Sequence, residues 1–312
     1  MKIIDIIQSS PEPFFSLEVV PPETGLNKEE LLERIAPLME LKPKFLNVTR
    51  HRDDFTFRQE KDGSFTKHLA RRSVSQTAVC ATVMARYPEV EVVPHILCGG
   101  ATADEIEYQL YDLIFMGIEN IMALRGDTIS GEKRFTPTPG GFNHANELVQ
   151  AIRSFGEGVR HFCIGVAGYP EKHFEAPNLE QDILRLKAKV DAGADYVTTQ
   201  MFFDNSRYYT FVEKCRAAGI TVPIIPGLKP LSTRRHLELL PRTFSIDLPE
   251  GLAREVDQAG DDAEAIYEIG TQWCIAQAKD LLANGVPAIH FYTMGKSRNV
   301  VKILKECFFS TD

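Results

Sequence analysis

No apolar run in this chain approaches the ~20 residues that a membrane-spanning helix requires, so no span is expected. Nor is there an excess of positive charge: 35 Lys and Arg stand against 43 Asp and Glu, a formal net charge of −8 at pH 7. That argues against a protein held on nucleic acid by phosphate contacts, but leaves room for a small anionic ligand in a local basic pocket. The opening MKIIDIIQSSPEPFF has too short an apolar stretch and too much acid for a secretory signal. The six cysteines, at positions 80, 98, 163, 215, 274 and 307, form no C-x-x-C and no zinc spacing with histidine. Cys80, Cys163 and Cys274 sit inside apolar runs and read as reduced, small hydrophobes of a cytoplasmic protein. Missing too are the P-loop, G-x-G-x-x-G, G-x-S-x-G and H-E-x-x-H patterns, and no metal site is expected. Gly156-Glu157-Gly158 precedes a strand-like run instead of following one, the wrong order for a dinucleotide fingerprint.

What is present is an ordinary globular balance, 44% hydrophobic and 25% charged over 312 residues, which excludes a disordered, collagenous or coiled-coil chain. Eight short runs rich in Val, Ile, Phe and Tyr read as strands: 14–20, 44–49, 90–97, 120–125, 163–168, 196–201, 222–227 and 288–293. Between them lie stretches of helical period. Asn27 to Leu41 opens on a capping box, as does Thr102-Ala-Asp-Glu105, whose helix closes near Gly117. Leu179, Ile183, Leu186 and Val190 make one apolar stripe ending at Gly193; Asp204–Ala218 ends at Gly219 and Asp261–Asn284 at Gly285. Each terminal glycine leads within a few residues into a strand, the signature of a helix C-cap and short αβ loop. Eight strands alternating with helices predict a single-domain (β/α)8 TIM barrel spanning 1–312; a doubly wound open sheet is the alternative.

In such a barrel, chemistry collects where strands end. Those ends carry Glu18, then Thr49, Arg50, His51 and Arg52, then His95, then Arg125-Gly126-Asp127, then Tyr169 and His173, then Gln200, and finally Thr293 and Lys296. Each alone could be a loop polar group or a cap; the set at one end reads as the lining of a pocket. Glu18 stands between Leu17 and Val19 inside a β-run, where burial raises a carboxyl pKa and suits it to general-acid work. The alternative is an ion pair with Arg or Lys across the barrel. Asp127 reads as a ligand contact or a cap, and Gln200 as a ring-recognising amide or a core hydrogen bond. Asp182, Arg185 and Lys189 share a face of the fifth helix, either a solvated face or a phosphate site near its N-terminal end.

These residues fall in blocks that resemble the methylenetetrahydrofolate reductase family. FFSLEVVPPETG, LKPKFLNVT, VPHILCGG, NIMALRGD, VAGYPEKHFEAP, KVDAGADYVTTQMFFD, VPIIPGLKP and IHFYTMGK are similar to the family's blocks, in the same order, from about residue 14 to 308. The size resembles the bacterial single-domain form. The resemblance implies an FAD-dependent barrel in which NADH or NADPH reduces the flavin, and 5,10-methylenetetrahydrofolate then accepts the hydride to give 5-methyltetrahydrofolate for methionine synthesis. It implies that Glu18 promotes protonation of the folate N10, that Asp127 lies beside flavin and pterin as a second catalytic residue, and that Gln200 serves both nicotinamide and folate. For FAD it implies Thr49, His95, Arg125, Gly126, Asp127, Ala145, Tyr169, His173, Ala176, Asp182 and Lys189, with Arg50 and Arg52 nearby. Ala188 stands where a basic residue is usual, and Arg185, one turn earlier, is expected to replace it at the phosphates. Lys296 and His236 take the places of folate-contacting Arg and Gln. A homo-oligomer is the family's habit. The competing readings are a flavin-free pterin-binding methyl transferase and a non-catalytic folate- or flavin-binding barrel; a yellow protein would exclude the first.

Overall fold

The computed structural model describes residues 1–50, 54–70, 73–128, 135–155, 161–294 and 297–309. In chain order they form α1 (Ile3–Ser9), β1 (Phe14–Val19), α2 (Lys28–Met39), β2 (Phe45–Val48), β3 (Asp54–Gln59), β4 (Phe65–Ala70), α3 (Gln76–Arg86), β5 (Glu91–Leu97), α4 (Ala103–Phe115) and β6 (Asn120–Leu124). There follow α5 (Ala145–Ser154), β7 (Cys163–Gly168), α6 (Leu179–Asp191), β8 (Tyr196–Met201), α7 (Asn205–Ala217), β9 (Ile224–Leu228), α8 (His236–Phe244), α9 (Glu250–Gln258), α10 (Ala263–Ala283), β10 (Ala288–Tyr292) and α11 (Arg298–Phe308).

Eight strands close into a parallel barrel in the order β1-β10-β9-β8-β7-β6-β5-β2. All eight coincide with the runs read from sequence, within two residues at either end. The helix signals hold at atomic detail. Asn27 accepts from the Glu30 N–H while the Glu30 carboxylate accepts from the Asn27 N–H, and Thr102 and Glu105 do the same at α4. Gly117, Gly193, Gly219 and Gly285 all take positive φ just past their helices, the left-handed turn in which a side chain is disfavoured.

Residues alternate along each strand between the barrel interior and the helical layer. On β1, Phe15, Leu17 and Val19 join the large cluster under the helices, leaving Phe14, Ser16 and Glu18 to the interior. The floor of the interior is apolar: Phe14, Phe45, Val93, Met122 and Tyr196 pack on Ile3 and Ile6 of α1, which plugs the end opposite the strand C-termini. Above that floor the interior turns polar, with Ser16, Asn47, His95, Thr198 and His290 all buried. Gly165 makes room there, since a Cβ on it would lie 2.5 Å from the Tyr196 ring.

Besides the short helix α1, two features were not legible in the sequence. The segment after β2 forms an antiparallel hairpin, β3–β4, outside the barrel, with Phe57 and Phe65 exposed on it. The stretch between β9 and α10 holds α8 and α9 over a third apolar cluster that includes Leu231, Leu240 and Leu252.

Candidate active site

The Glu18 carboxyl lies at the upper end of the barrel interior with 13% of its side chain exposed, and its Oε2 sits 3.8 Å from His95 Nε2. Burial pushes its pKa from the ordinary 4.5 up to about 8, and the positive charge of Lys229 offsets part of that rise. That rise favours the protonated acid at neutral pH. The backbone around it is tied down: the Thr293 hydroxyl donates to the Glu18 carbonyl oxygen at 2.7 Å, joining β1 to the end of β10. Tyr292, in register with Glu18 on the neighbouring strand, donates its hydroxyl to the Thr199 carbonyl at 2.7 Å. One step deeper, the Ser16 hydroxyl and His290 Nδ1 share a hydrogen bond of 2.8 Å, and burial, with the charge of His95, drives the His290 pKa down to about 3.

A second group gathers where β6 and β7 end. Arg125 pairs with Glu175 and stacks its guanidinium over the Phe135 ring at 4.9 Å. Burial pushes the Glu175 carboxyl upward, but the Arg125 hydrogen bond and charge outweigh it and leave the pKa lowered. His173 packs edge-on to Tyr169 at 4.9 Å, and its backbone N–H donates to Asp182 at 2.9 Å. Burial, reinforced by the charges of Arg125, Lys189 and Arg185, lowers the His173 pKa to about 4. Lys189 donates to the Ala167 carbonyl, and burial lowers its pKa to about 8. Asp182 is buried and its pKa raised by that burial, with Lys189, Arg185 and Lys172 opposing the rise. Asp182, Arg185 and Lys189 thus share one field, as the i, i+3, i+7 spacing requires. Ala188 is exposed, while the Arg185 charge reaches both His173 and Asp182.

The remaining expected residues are more spread out. Thr49 is buried beside β1, its backbone N–H bound to the Val19 carbonyl and its hydroxyl without a hydrogen-bond partner. Gly126 takes φ 86° between Arg125 and the exposed Asp127, whose charge is felt at Tyr169. Ala145 begins α5, and buried Ala176 closes a turn onto the His173 carbonyl. Gln200 turns its Oε1 back to the Met201 N–H at 2.9 Å and lines a small crevice with Tyr169, Glu171 and Phe244. His236 accepts the Ser232 N–H on Nδ1 at 3.2 Å at the start of α8. Arg50 reaches away from the β7 side, donating to Gln109 of α4 at 2.6 Å. Arg52 and Lys296, like His51, lie outside the described residues.

Sequence reasoning missed four groups here. Lys229 follows β9 and is only 6% exposed; the alternation Ile225, Gly227, Lys229 was the signal that could have placed it inward. Tyr292 and His290 share the inward parity of β10 and were legible in the same way. Glu171, on the β7–α6 connection, accepts the Asp247 N–H at 3.2 Å, and burial raises its pKa to about 7; only the fold brings those two segments together.

The donor set fits the FAD that the resemblance implies. A buried, unpartnered hydroxyl at Thr49 and a buried, unpartnered Glu175 Oε1 are polar atoms of the kind a bound polar group completes. Arg125, Arg185 and Lys189 converge on His173 as three cations suited to a diphosphate. Among the described residues there is no group of three or more His, Cys, Asp or Glu able to hold a metal ion.

Comparison with known proteins agrees with this geometry. The family model described as methylenetetrahydrofolate reductase matches residues 2–307. A relative from Escherichia coli (strain K12) named 5,10-methylenetetrahydrofolate reductase is 34% identical over 282 residues, 90% of this chain and 86% of that protein. Methylenetetrahydrofolate reductase (NADH) 1 of Arabidopsis thaliana is 33% identical over 97% of this chain and 50% of its own length. The chain spans about half the length of that plant protein and of the yeast relative, methylenetetrahydrofolate reductase 2 of Saccharomyces cerevisiae. Among solved structures, an uncharacterised Clostridium thermocellum protein that binds two copies of 5-methyl-5,6,7,8-tetrahydrofolic acid superposes with a TM-score of 0.60 at 14% identity, covering 97% of this chain and 96% of the other; at that identity it speaks for the fold alone.

Proposed function

The chain belongs to the methylenetetrahydrofolate reductase family, and from that premise we propose that it reduces 5,10-methylenetetrahydrofolate to 5-methyltetrahydrofolate, using FAD and NADH or NADPH in two separate half-reactions. The observation that carries the reading is Glu18: a carboxyl at the barrel mouth, held protonated near neutral pH by burial, beside His95.

When bound, FAD would supply the redox chemistry, a relay of hydride from nicotinamide to the one-carbon unit. The work of the chain is proton supply, orientation and binding. Glu18 gives its proton to the folate N10; the O–H bond breaks, an N–H bond forms, and the five-membered ring opens to an iminium ready for reduction. The tie from Thr293 to the Glu18 backbone and the anchoring of Tyr292 on Thr199 fix the acid against rotation of its strand. Asp127 is exposed on the β6 loop and offers an acceptor to the pterin edge. Gln200 offers an amide to either substrate once it leaves the Met201 N–H. Arg125, Arg185 and Lys189 would hold the FAD diphosphate, with Asp182 and Glu175 keeping them in place. Thr49, His95, Gly126, Ala145, Tyr169, His173 and Ala176 complete the proposed cofactor site, and His236 the folate site.

The reading takes 1–312 as one catalytic domain, acting in the cytoplasm and feeding methyl groups to methionine synthesis. It includes a homo-oligomer, which an exposed aromatic stripe on α4 supports: Tyr108, Tyr111 and Phe115 are 74%, 54% and 93% exposed.

Anaerobic stopped-flow on Glu18→Gln tests the proposal. Flavin bleaching by NADH is expected to stay within about twofold of the parent, while reoxidation by methylenetetrahydrofolate slows by roughly 10²–10⁴-fold. Folate reduction at the parent rate would remove Glu18 from the mechanism. A protein that cannot be loaded with FAD to a yellow form would turn the reading toward a flavin-free barrel.

A further inference from the structure

Three neighbouring strands bring Glu18 and Lys229 to one level of the barrel. Glu18 of β1 is in register with Tyr292 of β10. On the other side of β10, His290 and Phe291 pair with Gly227 and Leu228 of β9, so the next step of that register sets Lys229 beside Tyr292. Leu228 joins the cluster under the helices, and the inward parity of Ile225 and Gly227 continues to Lys229. Lys229 is 6% exposed at the mouth of the site, and its positive charge acts on the Glu18 carboxyl.

Among the described residues, the titratable groups facing the Glu18 carboxyl are His95 from β5, Lys229 from the end of β9 and Tyr292 from β10, with neutral His290 below; Asn47 and Thr49 on the β2 side are uncharged. A carboxylate formed in such a place is strongly disfavoured unless an opposite charge meets it. Before proton transfer the Glu18–Lys229 couple carries one positive charge, and afterwards none.

We propose that Lys229 is a positioning residue for proton transfer: its buried ammonium balances the carboxylate that Glu18 becomes, and so sets the strength of the acid. The proton leaves the Glu18 oxygen for the substrate nitrogen, the electron pair of the broken O–H bond stays on the carboxylate, and Lys229 keeps its own protons throughout. The inference rests on the proposed role of Glu18 as proton donor. Its effect is confined to the folate half-reaction, because flavin reduction by nicotinamide uses no proton from Glu18.

The test uses FAD-loaded protein carrying carbon-13 in the glutamate carboxyls, with the Glu18 signal assigned by its loss in Glu18→Gln. In Lys229→Met the titration midpoint of Glu18 is expected to rise by about one pH unit, because a charge that lowers it has been removed. The high-pH fall of the folate half-reaction should rise with it, and the rate at neutral pH should drop about tenfold. NADH-driven bleaching and folate affinity should stay within about twofold, and Lys229→Arg, which keeps the charge, should restore most of the rate and the midpoint. If Lys229→Met sheds FAD, Lys229→Gln carries the same series. An unmoved or lowered midpoint overturns the proposal, as does an equal fall of both half-reactions. A slow Glu18→Gln with an unchanged Lys229→Met overturns the role of Lys229 alone; a Glu18→Gln that reduces folate at the parent rate overturns both that role and the proton-donor reading beneath it.

Discussion

A carboxyl kept protonated by burial makes stability depend on pH. The Glu18 pKa rises from 4.5 to about 8 on folding. The folded state therefore binds more protons than the unfolded one between those two values. The stability this group confers is complete below pH 4.5 and is lost as pH rises through 8. Glu18→Gln removes the titration while keeping the shape. It is expected to be more stable than the parent at pH 8, by on the order of a few kcal/mol, and indistinguishable from it below pH 4.5. Thermal unfolding across that range checks the sign; an equal difference at both ends would mean that the gain does not come from ionisation. The same residue shows how far sequence reasoning reaches at this scale. Its position inside an apolar run predicted burial and a raised pKa, and the alternative of a cation across the barrel was open. Glu18 is desolvated and its pKa raised, and the charge of Lys229, two strands away, opposes that rise. Lys229 escaped because it lies two residues beyond the strand run 222–227, although the parity of Ile225 and Gly227 extends to it.

At the scale of elements, the strands, helix caps and closing glycines were legible because each is set by chemistry within a few residues of chain. Alternation, side-chain capping and left-handed φ are local properties. The elements that escaped owe their form to something distant. α1 is only seven residues long and is held by the floor of the barrel, with its Ile3 N–H bound to the Asn120 side chain at 2.8 Å. α8 contains Pro241, an unfavourable residue for a helix interior, and stands because it covers the cluster under α10. The docking of α10 depends on closeness at one point: a Cβ on Gly270 would lie 1.9 Å from the Leu231 carbonyl oxygen. Gly270→Ala should cost about 2–4 kcal/mol in chemical denaturation, because backbone must shift to admit the methyl. A loss of under about half a kcal/mol would mean that α10 is free to slide.

For the whole molecule, the polar upper half of the barrel is a store of incomplete interactions above a well-packed floor. The Thr49 hydroxyl and the Glu175 Oε1 are buried polar atoms that a ligand could pair, and a ligand that binds only the folded state adds to its stability. Saturating the protein with FAD at about a hundredfold over its dissociation constant should add about 2.7 kcal/mol and raise the melting temperature by about 5 °C; no rise would argue that the mouth is not the cofactor site. The order of strands and helices, and with it the barrel, followed from sequence alone, since hydrophobic period and turn chemistry are written residue by residue. Which strand-end residues share one field was decided only by closure. Ring formation sets β9 and β1 on either side of β10 although some two hundred residues separate them in the chain, and so gives Glu18 its buried lysine; the same closure lets Arg50 turn outward to α4 while Arg125, His173 and Lys189 converge. Charge interaction depends on distance through space and on exclusion of water, and neither is a property of position along the chain.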